Sequence, residues 1–117
     1  MRKLIIALII AASPLMAQGA NHSATLTWLW SQGASDPATG FHVQRSQVSG
    51  GPYTIVGTVG SPTTLTFVDS GVVAGQTYFY VVTAFNTGGD SVPSNQVTCT
   101  IPFQAPAAPS GLSVVAK

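Results

Sequence analysis

Residues 71–84 read Gly71-Val72-Val73-Ala74-Gly75-Gln76-Thr77-Tyr78-Phe79-Tyr80-Val81-Val82-Thr83-Ala84, and this stretch decides the fold. A glycine-containing corner leads into a run in which Tyr78, Tyr80, Val82 and Ala84 take every second position. Successive side chains of a strand point to opposite faces, so these residues share one face and bury it on a core. The same period of two recurs on both sides. Ala24, Leu26 and Trp28 alternate with threonines, and Phe41, Val43 and Arg45 alternate with His42 and Gln44. Leu65 and Phe67 form a shorter run, and Val97, Cys99 and Ile101 form the last. β-Branched and aromatic residues dominate these segments, as strands prefer.

Turn chemistry separates the runs: Asp36-Pro37-Ala38-Thr39-Gly40, Ser49-Gly50-Gly51-Pro52 ahead of Tyr53 to Val59, Gly60-Ser61-Pro62, and Thr87-Gly88-Gly89-Asp90. Short strands at near-regular spacing point to a sandwich or barrel. No helical stretch is long enough to cover a parallel sheet, which excludes α/β architectures.

The N-terminal segment reads differently. Met1-Arg2-Lys3 is followed by an apolar run, Leu4 to Ala12, then Ser13-Pro14 and the small residues Ala17, Gly19 and Ala20. This order of charge, apolar stretch and small-residue exit is that of a secretory signal peptide, with cleavage expected after Ala17 or Gly19. The alternative is an uncleaved anchor, but the run is shorter than the roughly 20 residues of a membrane span. The expected organisation is therefore a leader over 1–19, one domain over 20–102 and a tail over 103–117, in a secreted, periplasmic or cell-envelope protein.

Without residues 1–19, Arg45 and Lys117 stand against Asp36, Asp69 and Asp90, a net charge of −1. No basic stripe exists to neutralise phosphates, which excludes a nucleic-acid partner, and nothing would hold an anionic membrane surface. With the single cysteine Cys99 there is no intramolecular disulfide, so apolar packing must hold the domain.

Three segments taken together resemble the fibronectin type III family. Leu26-Thr27-Trp28 is similar to the family's second strand, Gly40-Phe41-His42-Val43 to its third, and Gly71 to Tyr78 to the corner before its sixth. The hairpin Ser49-Gly50-Gly51-Pro52-Tyr53 is similar to bacterial secreted members. The resemblance implies an all-β, immunoglobulin-like sandwich of two antiparallel sheets and about seven strands. It implies a core of Leu26, Trp28, Phe41, Val43, Phe67, Val72, Tyr78, Tyr80, Val82 and Cys99. Tyr78 would be a corner tyrosine whose hydroxyl meets backbone near Val72. Gly88-Gly89-Asp90 stands where integrin-binding members carry Arg-Gly-Asp, so that activity does not carry over. The family's first strand has no counterpart just before Ala24.

The chemical inventory is thin. Asp36, Asp69 and Asp90 each lie beside a turn signal, where Asp accepts backbone hydrogen bonds. No serine lies in a Gly-x-Ser-x-Gly elbow, and neither His22 nor His42 has a partner at metal-ligand spacing. His42 is expected exposed, and Cys99 is expected inward as a small hydrophobe. Asn21-His22-Ser23 fits a glycosylation sequon by chance. These residues indicate no catalytic, cofactor or metal site, and hence no enzyme. Phe79, Val81 and Phe85, opposite the Tyr78 face, form a candidate docking patch for a protein or glycan. Trp30 and Tyr53 are candidates for stacking on sugar rings.

After Ile101, Pro102-Phe103-Gln104-Ala105-Pro106-Ala107-Ala108-Pro109 reads as an extended linker. Pro109-Ser110-Gly111-Leu112-Ser113-Val114-Val115 then resembles the family's first strand. Three explanations stand open: fold-back onto the chain's own open edge at Ala24–Trp28, donation of residues 109–115 to a neighbouring molecule, or a vestige of a lost repeat.

Overall fold

The computed structural model describes the backbone of residues 6–12 and residues 22–31 and 37–117. The first sheet has the order β1-β2-β5, formed by β1 (Ile6–Ala12), β2 (Ala24–Leu29) and β5 (Thr66–Asp69). The second is built on β3 (Gly40–Ser46), with β4 (Thr54–Val59) on one side and β6 (Thr77–Asn86) on the other. The far side of β6 pairs with β7 (Gly89–Asp90) at Phe85–Asn86 and with β8 (Val97–Thr100) at Thr77–Tyr80. β7 and β8 thus lie on one interrupted line along β6, which makes seven strand lines in two antiparallel sheets. The described residues contain no helix.

The interruption follows from the sequence between β7 and β8. Pro93 carries no N–H for a ladder. Val82 and Ala84, buried in mid-strand, still need acceptors for their amides. Ser94 Oγ accepts from Val82 N at 2.9 Å, and Ser91 Oγ accepts from Ala84 N at 3.0 Å. The same serines donate their own amides to the carbonyls of Val82 and Ala84.

The core lies between the sheets. Leu26, Trp28, Phe41, Val43, Val72, Tyr78, Tyr80, Val82, Cys99 and Ile101 are buried, and Phe67 is partly buried against them. Trp28 on β2 meets Phe41 on β3 edge-on, with ring centroids 5.3 Å apart, so one aromatic contact ties the sheets. The Phe67 ring lies over Gly57 of β4, where a Cβ would sit 2.2 Å from Phe67 Cζ. Gly57 is therefore the space that seats Phe67.

The corner between β5 and β6 forms as its residues demand. Val73 N donates to the Tyr78 hydroxyl at 3.0 Å, which satisfies the polar tip of a buried ring. Gly75 has φ +82° and donates its amide to Ile101 O at 2.7 Å, fastening the corner to the end of β8. A side chain at that φ would be strained.

The expectation of an open edge at Ala24–Trp28 is corrected. The edge of β2 is covered: β1 pairs antiparallel along it from Ile6 opposite Leu29 to Ala12 opposite Ala24. An apolar run satisfies an unpaired strand edge wherever it lies in the sequence, and the leader-like segment supplies one. With β1 on that edge, residues 102–117 form no strand and nearly all are exposed. The expected cleavage zone, Asn21 and Asp36 lie outside the described residues. No helix among the described residues is long and apolar enough to cross a membrane.

Candidate functional site

Two polar clusters among the described residues differ from a reading of isolated turn residues. Arg45 continues the inward face of β3 past Phe41 and Val43, toward the corner end of the sandwich. There its guanidinium donates to Asp69 Oδ2 at 2.8 Å and lies 5.0 Å above the Tyr78 ring. Asp69 ends β5 and is 5% exposed. Its Oδ2 also accepts from the Tyr80 hydroxyl at 2.7 Å, and its Oδ1 accepts from Gly71 N at 3.0 Å. The turn role expected for Asp69 is present, and a part-buried ion pair is added to it.

This electrostatic arrangement is closed. Burial pushes the Tyr80 phenol far above its ordinary value, and the Asp69 hydrogen bond and charge push the same way. Burial alone would lower Arg45, but the Asp69 hydrogen bond and charge outweigh it and raise it. Asp69 thus holds three hydrogen bonds, and its charge is paired with that of Arg45. A groove of about 310 Å³ beside the pair is lined by Arg45, Val56, Phe67, Val68, Asp69, Ser70 and Gly71.

The second cluster lies on the outer face of the β3-β6 sheet. Asp90 Oδ2 is 2.9 Å from His42 Nδ1 and accepts from Thr83 Oγ1 at 2.7 Å. His42 stacks on Phe85, with centroids 4.2 Å apart. Burial tends to raise Asp90, but the hydrogen bonds from His42 and Thr83 outweigh it and lower its pKa. Here the hydroxyl and the imidazole both engage the carboxylate. A nucleophile would instead need its base on the hydroxyl.

The candidate docking patch is corrected by this cluster. Val81 is 4% exposed, and Phe79 and Phe85 are only part-exposed. His42 covers Phe85, so it is not the free histidine expected. Trp30 packs edge-on against Phe41, and the half-buried Tyr53 gives its hydroxyl to Gln96 Oε1. Both candidate sugar-stacking rings are engaged in packing. Cys99 is a buried free thiol, and burial raises its pKa. No group of three or more metal-ligating side chains occurs among the described residues.

The most exposed of the large apolar side chains described lie in the tail. Leu112 is 98% exposed, Val114 89%, and Val115 and Phe103 81% each. Alternation was the signal that marked the tail, and it marks strand capacity without a sheet to join.

The chain matches the fibronectin type III domain over residues 13–100. It belongs to the fibronectin type III family. The match starts seven residues before the boundary at residue 20 and ends two short of residue 102. β1 and the tail both lie outside it. A fibronectin type III-like protein from Clostridium thermocellum is 32% identical, with a TM-score of 0.58, over 83% of this chain and 94% of that one. An amylopullulanase of Thermoanaerobacter thermohydrosulfuricus is 34% identical over 89 residues. Those residues are 75% of this chain, which spans only 6% of that enzyme's length. Pectate lyase PelI of Erwinia chrysanthemi contains the same fold at 20% identity and a TM-score of 0.61, over 81% of this chain and 28% of its own. Fibronectin type III modules of this kind thus occur as parts of larger carbohydrate-active enzymes.

Proposed function

We propose that this chain is a secreted, non-catalytic fibronectin type III module that binds or spaces proteins or carbohydrate outside the cytoplasm. The observation that carries this reading is the amylopullulanase match, in which three quarters of this chain corresponds to one small segment of a long enzyme. A segment of that size fits a mounting or docking unit beside a separate catalytic domain. The described titratable groups support the reading, because Asp69, Arg45, Tyr80, Asp90 and His42 all satisfy one another. The leader-like Met1 to Ala12 supports export.

The test is to incubate the full chain with insoluble starch, pectin and cellulose, and separately with the secreted proteins of its own source. The expected result is retention on a polysaccharide or a specific protein with no release of reducing ends. Reducing-end release that disappears on Asp69→Asn or Asp90→Asn would overturn the non-catalytic reading.

A further inference from the structure

We infer that the outer edge of β2 is a strand-acceptor site and that its occupant is the 109–115 tail of a second copy, which makes this chain a head-to-tail assembling subunit. The inference rests on the export reading above, because the edge must first lose residues 6–12.

The edge accepts a strand in this structure. β1 pairs along all of Ala24–Leu29, with a shift between Ile9 and Ala11. β1 lies in the leader-like segment, outside the residues that match the family, so the strand that covers β2 belongs to the part of the chain that export would remove. Its removal leaves the free edge of Ala24–Leu29 without hydrogen-bond partners, next to the core residues Leu26 and Trp28. Such an edge is a template for another chain.

The tail has the matching pattern. In an extended strand Leu112, Val114 and Ala116 share one face. Antiparallel to β2, they can stand opposite Trp28, Leu26 and Ala24, the positions that Ala7, Ile9 and Ala12 face in β1. Leu112 and Val114 lose their almost complete exposure on docking.

Direction decides between the chain's own edge and a neighbour's. Ile101 N donates to Gln76 O, so the tail leaves the sandwich at the corner end. An antiparallel partner of β2 starts at the opposite end, beside Leu29. Residues 102–109 would have to span the whole sandwich at nearly full stretch, about 26 Å for eight residues. Pro102, Pro106 and Pro109 stiffen them. The chain measures 84 × 26 × 18 Å, far longer than it is wide, with residues 102–117 outside both sheets. A tail leaving the corner end of one copy reaches the Leu29 end of the next copy in the same orientation. Such a heterologous contact links copies in series, head to tail.

The experiment is to secrete the full chain from a bacterial host, read its N-terminus by intact mass, and follow its mass by sedimentation velocity across a concentration series. The expected result is a chain lacking residues 6–12 whose average mass rises past that of a dimer. Leu112→Lys with Val114→Lys should remain at one-chain mass, and free 103–117 peptide should cap the wild-type assemblies. Those two side chains touch no core residue, and an unchanged thermal melt in the dilute variant verifies its fold. A processed chain that stays monomeric at every concentration overturns the inference and leaves export standing. A chain that retains residues 6–12 overturns both. A double variant that still assembles places the contact on another edge and overturns the inference alone.

Discussion

Arg45 of β3 and Asp69 of β5 form an ion pair, 2.8 Å from Nη1 to Oδ2, that ties one sheet to the other at the corner end. With no disulfide available, this pair works with the Tyr80–Asp69 hydrogen bond and the Trp28–Phe41 contact to tie the layers together. Asp69→Ala leaves the Tyr80 hydroxyl and a partly buried guanidinium without their acceptor. The expected loss is about 2–3 kcal/mol, below that of a fully buried pair because Arg45 reaches solvent. Urea unfolding checks it, and Arg45→Met with Asp69→Leu should recover much of the loss.

Trp28→Ala should cost about 3–5 kcal/mol, the range for a core aromatic. Its Nε1 has no hydrogen-bond partner among the described residues, so the loss is one of packing. Trp28→Phe should cost far less. Thermal melts of both variants separate volume from polarity, and a Trp28→Ala chain that melts like the parent contradicts the strand assignment.

Tyr78→Phe removes the acceptor of Val73 N while keeping the ring. The expected loss is about 1 kcal/mol. Gly57→Ala pushes a methyl into the Phe67 ring and should cost about 1–3 kcal/mol. A double variant with Phe67→Leu should cost less than the sum of the separate losses, because the smaller side chain makes room. Urea unfolding of the four variants measures both effects.

The pH dependence has a definite sign. Folding raises the pKa of Tyr80, so folded and unfolded chains both hold its proton below about pH 10. Above that the unfolded chain releases the proton while the folded chain keeps it, and stability falls as pH rises. Tyr80→Phe should flatten this alkaline slope, with Cys99 contributing a smaller one of the same sign. On the acid side folding lowers Asp90, so its contribution is present above about pH 4 and fades below. Asp90→Asn should remove that part. Unfolding midpoints across pH 3 to 11 test both arms.

Much of this was legible in the sequence because a period of two reports directly which face of a strand is buried. The inward rows of Tyr78 to Ala84 and of Leu26 and Trp28, and the bond from the Tyr78 hydroxyl to backbone beside Val72, follow from local pattern and the family resemblance. The partners of Asp69 and Asp90 were not legible. Arg45 lies 24 residues before Asp69, and His42 lies 48 before Asp90. Strand pairing alone brings them together. A faint signal existed, since Arg45 breaks an otherwise apolar inward row and so requires a buried counter-charge. The burial of Val81 was missed because alternation predicts two faces but not which neighbours shield the outer one.

Amide hydrogen exchange at Ala24–Leu29 in the processed chain tests the acceptor edge most directly. The outward-facing amides of this strand should exchange freely in dilute monomer. They should become protected either as concentration rises or on addition of the 103–117 peptide. Equal protection of these amides in dilute monomer, with or without the peptide, would contradict it.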